Sequence, residues 1–331
     1  MNTFIQSLPK AELHSHIEGT MEPELILKLA DRNKIKLPYS DEDALRRAYQ
    51  FQDLQSFLNL YFMCANTLRK PEDFYDMTLE YLKRCQQDGV IHTEIFVEFQ
   101  SYRENNIVIE VILEGISAAI KQGAKEYGVT CYIILCFLRH RPAMEAMQTL
   151  DHAAPYFDQI VGVGLAAAER PYPPHLFKDV YDKAHSLGLK RVAHAGEEGP
   201  ADYVWQALEL LGVDRIDHGV RCAEDPKLVQ RLIETQTPLT VCPLSNVKLR
   251  VFPDMASHNV YKLFKAGVNV TINADDPSFF GGYVTDNYQA IMDAHPFTKA
   301  DIIQLAKNGI QASFLPPMQK TAWIRKIEAH R

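Results

Sequence analysis

Two imidazoles two residues apart, His14 and His16 in the run Lys10-Ala-Glu-Leu-His-Ser-His-Ile-Glu18, are the densest metal-ligating chemistry in this chain. Side chains at i and i+2 of a strand share one face about 7 Å apart, so both rings can approach one cation. Three later apolar runs also end in reactive groups: Val192-Ala-His194-Ala-Gly-Glu197, Ile216-Asp-His218-Gly219 and Ile272-Asn-Ala-Asp275-Asp276-Pro277. His14, His16, His194 and Asp275 offer three imidazoles and one carboxylate, a set suited to Zn2+ with one position left for water. Glu197 follows His194 across Ala-Gly, so the chain can turn its carboxyl toward that ion. Burial there raises its pKa and keeps a proton available for donation. His218, at a strand end before Gly219, is placed to orient or deprotonate water. Asp275 and Asp276 are neighbours whose side chains diverge, one to metal and one to water or substrate, and a cation offsets their repulsion. Ser245 and Asn246, after Cys242-Pro-Leu, either line the same pocket or cap the next helix.

The elements that must position these groups follow from hydrophobic pattern. Apolar runs ending in polar residues or Gly fall at about 11–18, 90–99, 129–139, 160–168, 190–197, 215–220, 238–246 and 268–277. From the third onward, helical patterns separate them: Pro142 to Phe157, Pro174 to Leu187, Tyr203 to Leu211, Pro226 to Glu234 and Val260 to Ala266. Strands this apolar, alternating with helices, predict an α/β fold with a covered parallel sheet, and eight such units favour closure into a (β/α)8 TIM barrel. Catalytic groups of such barrels gather at the C-terminal strand ends, where the later candidates fall. Residues 19–89 carry no strand pattern but four helical ones, Glu22 to Asn33, Asp41 to Tyr49, Leu54 to Leu68 and Glu72 to Asp88. An insertion after strand 1 is predicted to form a lid over the mouth. Residues 299–331 predict two C-terminal helices parted by Leu315-Pro-Pro317, packed outside the barrel. With no repeat or Gly/Ser linker, residues 1–331 read as a single domain.

Composition narrows the function classes. The chain has 331 residues, 47% hydrophobic and 23% charged, which is ordinary globular usage and long enough for a large core. A formal net charge of -7 with dispersed Lys and Arg argues against polymeric nucleic acid as a partner. Cysteines 64, 85, 131, 136, 222 and 242 form no C-x-x-C pair and sit mostly in apolar runs, as reduced thiols do. No run approaches the roughly 18 apolar residues of a membrane span, and the first residues lack a signal-peptide pattern. These features predict a cytoplasmic protein acting on a small molecule, away from membranes.

One motif competes. Gly162-Val-Gly164-Leu-Ala-Ala167 fits G-x-G-x-x-A, and Asp182 follows at the spacing of a ribose-binding acid, as in an NAD-dependent oxidoreductase. Such a motif must open a helix. Here Ala168-Glu-Arg-Pro171-Tyr-Pro173-Pro174 follows, and prolines this dense impose extended chain first.

In this order, H-x-H, H-A-G-E, a strand-end H-G, S-N and D-D-P resemble the adenosine/adenine deaminase family of the amidohydrolase superfamily, over nearly the whole length from Leu8 to about Leu315. The resemblance implies a metal-dependent hydrolase-type barrel with one zinc per chain held by His14, His16, His194 and Asp275. It implies Glu197 as proton donor, His218 as the group that activates or orients hydroxide, and Asp276 as the carboxylate near the water and purine N7. The chemistry it implies is hydrolytic deamination: attack at C6 of a 6-aminopurine, protonation of N1, and departure of ammonia. Leu54, Phe57 and Leu58 align with a helix that covers substrate in relatives.

Members that deaminate adenosine carry H-x-H-x-D, whereas here the motif ends in Glu18, whose longer side chain reaches into the volume of a sugar, as in the adenine branch. Glu197-Glu-Gly-Pro200, Phe280-Gly-Gly-Tyr-Val284 and Phe137-Leu-Arg-His140 also resemble that branch. The expected reaction is therefore adenine to hypoxanthine, in purine salvage. Two segments depart from it. Gly164-Leu-Ala166-Ala-Ala168-Glu169 stands where the branch reads roughly G-L-D-S-S-E, leaving Ala167 beside the purine edge, and Glu98-Phe replaces an Asp-Pro. Added space there makes N6-substituted adenines, with adenosine, the alternatives. A barrel that binds purine without catalysis predicts binding without ammonia release.

Overall fold

The computed structural model describes residues 3–330; the ends of the expected domain, residues 1–2 and 331, lie outside the described residues. Eight strands form one sheet in sequential order: β1 Lys10–His16, β2 Val90–Val97, β3 Thr130–Leu138, β4 Ile160–Ala166, β5 Lys190–Ala195, β6 Arg215–His218, β7 Leu239–Val241 and β8 Val270–Ile272. All neighbouring pairs are parallel. The runs expected to reach residues 246 and 277 stop at Val241 and Ile272. Pro243 and Pro277 open short helices there, Pro243–Lys248 and Pro277–Phe280, because proline cannot extend a hydrogen-bond ladder but fits a helix's first turn.

Closure depends on side chains as much as on backbone. Ser15 and Asp275 form an isolated parallel bridge, with the N–H of Asp275 donating to His14 O at 2.8 Å and the N–H of His16 to Asp275 O at 3.1 Å. Below it, Glu12 accepts the N–H groups of His14 and Ala274, both at 3.0 Å, and Asn273 Oδ1 accepts that of Leu13 at 2.9 Å. Irregular register along β1 leaves amides that ordinary pairing would not satisfy, and these buried side chains take them. The seam thereby fixes the two metal-ligating candidates of β1 against Asp275.

Inside the ring, period-two alternation stacks side chains in layers. Phe96, Ile134, Cys136, Ala166 and Val192 pack together there with Phe314. On β2 and β6 the layer beneath the mouth is ionic: Glu94 faces Arg215, which also stacks over Phe314 with its guanidinium carbon 4.2 Å from the ring centroid. Gly162 and Gly164 of the dinucleotide-like motif lie within β4 rather than at a helix start. A Cβ on Gly162 would come within 2.6 Å of Lys190 O, so close strand packing explains this glycine, and the NAD reading falls.

Between β1 and β2 run helices Pro23–Arg32, Glu42–Arg47, Leu54–Ala65 and Pro71–Gln87. The Leu54 helix starts from an Asp53 capping box with Ser56 and buries Leu54, Phe57, Leu58 and Tyr61 toward the strand ends. Helices Lys299–Ala312 and Pro317–Glu328 follow β8, and residues 312–314 between them meet Arg215 and Glu94 at the barrel floor. Among the described residues, no helix is long and apolar enough to cross a membrane.

Candidate active site

At the C-terminal strand ends, four donor atoms converge. His194 Nε2 lies 3.1 Å from His14 Nε2 and 3.2 Å from His16 Nε2, and Asp275 Oδ1 lies 3.4 and 3.5 Å from those same two nitrogens. Four donors arranged tetrahedrally around one zinc at ordinary bond lengths stand roughly 3.3–3.6 Å apart. The four separations, 3.1–3.5 Å, lie close to that range, and the partners of the other ring nitrogens give a second test.

His14 Nδ1 faces the Thr240 carbonyl at 3.2 Å, an acceptor only, so that nitrogen carries the hydrogen. His16 Nδ1 faces Glu98 Oε1 at 3.1 Å, and His194 Nδ1 lies 3.4 Å from Asp217 Oδ2, an electrostatic contact rather than a hydrogen bond. Each acceptor selects the tautomer whose Nε2 bears a lone pair, and three buried lone pairs aimed at one point repel unless a cation stands between them. Burial, then His14, lower the pKa of His194 to about 4, which keeps its imidazole neutral and able to ligate. Burial opposes ionisation of Asp275, yet His14, His218 and His16 hold its carboxyl well below the usual range. The residues present fit a divalent ion.

His218 clusters with His14, His194 and Asp275 but in the opposite tautomer. Val260 N–H donates to His258 Nδ1 at 3.0 Å, so His258 Nε2 carries hydrogen and donates to Asn246 Oδ1 at 3.2 Å. That orients the amide, whose nitrogen then donates to His218 Nδ1 at 3.3 Å. His218 Nε2 therefore carries a hydrogen, 3.5 Å from Glu197 Oε2 and 3.8 Å from Asp275 Oδ2. It is a donor aimed into the site, not a fourth imidazole lone pair. Burial, then His14, depress its pKa far below the ordinary value and keep it neutral.

Glu197 and Asp276 are the acids of the site. Burial, then Asp275, Glu169 and Glu198, push the Glu197 carboxyl far above the carboxylate range; burial and Asp275 do the same to Asp276. Glu197 Oε1, Asp276 Oδ1 and His218 Nε2 are buried with no hydrogen-bond partner, as expected of groups meant for a ligand. They open on a narrow cavity of about 30 Å³, lined also by His16, Leu54, Phe57, Leu58, Tyr61, Glu98, Ala167, His194, Leu249 and Asp275.

Of the residues proposed from sequence, Glu18 stands apart. Tyr102 and Tyr61 hydroxyls donate to its two oxygens at 2.8 and 3.2 Å, and Tyr61 rather than Glu18 forms the cavity wall. Burial, then Glu98, raise its pKa to about 7. Ser245 and Asn246 prove to be positioning groups: Ser245 Oγ donates to Asp275 Oδ2 at 2.7 Å, and Asn246 sets the His218 tautomer.

Sequence reading missed Glu98, Asp217 and Thr240, which orient the imidazoles. Asp217 sits beside His218, but only the pairing of β5 with β6 shows that it faces His194. Three mouth residues other than glycine have left-handed backbone: Ala167 (φ 71°), His218 (φ 61°) and Asp275 (φ 65°). They follow or end the even-numbered strands β4, β6 and β8. Such conformations are costly for residues with a Cβ and concentrate where function requires them.

The adenosine deaminase family model matches residues 9–330. An adenine deaminase of Vibrio parahaemolyticus is 53% identical over 330 residues, covering 100% of this chain and 98% of the relative. The crystal structure of adenine deaminase from Arthrobacter aurescens superposes with a TM-score of 0.96 at 43% identity, covering 97% of this chain and 98% of that one. An amidohydrolase from Burkholderia ambifaria, crystallised with bound zinc, gives a TM-score of 0.91 at 26% identity over 99% of this chain and 92% of its own.

Proposed function

This chain belongs to the adenosine deaminase family, and from that premise we propose that it hydrolyses adenine to hypoxanthine and ammonia with one zinc per chain. The observation that carries the reading is the convergence of His14, His16 and His194 Nε2 with Asp275 Oδ1 beneath an unpartnered acid, Glu197. His14, His16, His194 and Asp275 hold the ion. When bound, zinc supplies Lewis acidity and makes hydroxide available near pH 7.

The chain's own groups do the rest. Glu197, kept protonated by burial, donates its proton to N1 of the purine, so negative charge does not build on the ring as C6 becomes tetrahedral. His218 Nε2–H donates toward the attacking oxygen and holds it over C6. Asp276, also protonated, gives a hydrogen bond at N7. Leu54, Phe57, Leu58 and Leu249 offer the apolar surface that a flat base buries, and they exclude water from the reacting carbon. The hydroxyl proton on C6 then passes to the amino nitrogen as the carbon–nitrogen bond breaks, leaving a carbonyl at C6 and ammonia, and the next water returns a proton to Glu197.

The choice of a free base rests on the ribose side. Glu18, filled in by Tyr61 and Tyr102, occupies with them the volume beyond the base. Helices within 19–89 act as the lid, 299–331 are supporting helices, and the whole folds as a single domain. Six buried, unpaired cysteines suit a reducing compartment, and we place this salvage activity in the cytoplasm.

A steady-state panel of adenine, adenosine and an N6-alkyl adenine, read by ammonia release beside elemental analysis, tests the reading. Adenine is expected to turn over fastest in protein holding about one zinc. Fastest turnover of adenosine would overturn the role given to Glu18, and purine binding without ammonia would overturn the enzyme itself.

A further inference from the structure

Glu197 is poorly held by its own side chain. Oε1 has no partner and Oε2 lies 3.5 Å from His218, so its aim depends on its backbone. That backbone is gripped by a residue to which the chemistry above gives no part. Glu169, buried after β4, accepts the N–H of Gly196 on Oε1 at 2.6 Å, and those of Glu197, Glu198 and Gly199 on Oε2 at 3.1, 2.8 and 2.6 Å. Four consecutive amides converge on one carboxylate.

The opposite charge holds the start of the same turn. Arg139, buried beyond β3, donates from Nη1 to the carbonyl of His194 at 2.7 Å and from Nε to that of Tyr172 at 2.8 Å. An ionised carboxylate is tolerated in such a place only when charge-assisted hydrogen bonds replace water, and here backbone amides supply them. The fit is close: a Cβ on Gly199 would lie 2.6 Å from Glu169 Oε1 and 2.4 Å from the Tyr203 ring.

We propose that Glu169 is a positioning residue for deamination: by fixing the backbone of residues 196–199 it aims the Glu197 carboxyl into the cavity. The activity arm of this inference rests on the deaminase reading; the structural arm does not.

The test compares zinc-loaded wild type with Glu169→Gln, Glu197→Gln, the double variant and Gly199→Ala, measuring kcat and KM for adenine, zinc content and hydrogen exchange of amides 196–199. Glu169→Gln is expected to lower kcat about 10²-fold, the scale of an ångström's misplacement, with KM and zinc little changed and the four amides exchanging faster. Placed on Glu197→Gln, the same change should cost little more, because its effect passes through Glu197. Gly199→Ala should reproduce the kcat loss from the other side of the contact. Losses that multiply in the double variant, or amides that exchange as in wild type, would overturn the proposal. If wild type released no ammonia from adenine, the functional reading would fall while the exchange data still decided the clamp.

Discussion

Two buried polar layers lie one above the other in this barrel, and they are built on opposite principles. In the lower, Glu94 accepts from Arg215 at 2.5 Å on one oxygen, and from His92 at 3.1 Å and the Phe314 amide at 2.5 Å on the other. Unlike charges meet, and the carboxylate is saturated. In the upper, at the C-terminal strand ends, imidazole lone pairs from β1 and β5 face one another and Glu197, Asp276 and His218 keep unpartnered atoms. Residue types are similar in both. What separates the two is whether the carboxyls are satisfied by their neighbours: both oxygens of Glu94 have partners, although Arg215 Nε has none, whereas Glu197 Oε1 and Asp276 Oδ1 wait for something else.

Removing one group from each layer should therefore fail in different ways. His194→Ala takes a ligand from the upper layer, and metal and activity should vanish together, turnover falling by more than the roughly 10³-fold of a single lost oxyanion donor. Because the layer below is untouched, the melting transition of the metal-free variant should stay close to that of metal-stripped wild type. Full zinc occupancy in elemental analysis of His194→Ala would show the ligand set to be wrong.

Glu197→Gln probes the same layer without touching a ligand. Turnover should drop about 10²-fold or more, the size of lost acid catalysis, at unchanged zinc content. The sign of the pH dependence follows from the raised pKa: the protonated form is the donor, so wild-type activity declines as pH rises through it. The variant has no proton to lose there, and that decline should be absent from its profile.

Glu94→Ala attacks the lower layer and leaves Arg215 buried without its partner, which costs about 3–5 kcal/mol. Turnover per folded molecule should persist, since no cavity residue moves. Arg215, against the cost of burial, holds the Glu94 pKa to about 2 rather than 4.5. As pH falls, the unfolded chain takes up this proton first, so the stability given by the pair is complete above about pH 4.5 and is lost toward pH 2. Acid unfolding of wild type and variant should converge over that window; parallel curves would mean the pair is not what holds the floor.

The upper layer was largely legible in the sequence and the lower hardly at all. His194, Glu197, His218 and Asp275 sit at strand ends marked by the change from apolar run to Gly or Pro, and His14 and His16 stand out by their spacing of two, both signals local to the chain. Eight strands were visible for the same reason, but not the proline-led helices that cut β7 and β8 short. Glu94 and Arg215 carry no such mark, because their meaning arises only when β2 and β6 face each other across the ring. Glu169 and Glu98 are likewise mute alone: one earns its role from amides 27 to 30 residues away, the other from His16.

The smallest expected effect has opposite signs inside one strand and just past its end. Ala167, at the end of β4, holds φ 71°, a conformation that costs a residue with a Cβ about 1–2 kcal/mol. Gly gives that up at an entropic cost of about 0.5–1 kcal/mol, so Ala167→Gly should stabilise the protein by about 0.5–1 kcal/mol in thermal or denaturant unfolding. Gly162, within the same strand, has ordinary backbone but no room beside Lys190 O, and Gly162→Ala should destabilise by about 1–3 kcal/mol, as overpacking does. The strand interior is arranged for close contact, whereas its end accepts strain where Ala167 meets the ligand cavity. If Ala167→Gly gained nothing in stability, the left-handed turn at the mouth would be unstrained, and this last distinction between the two regions would disappear.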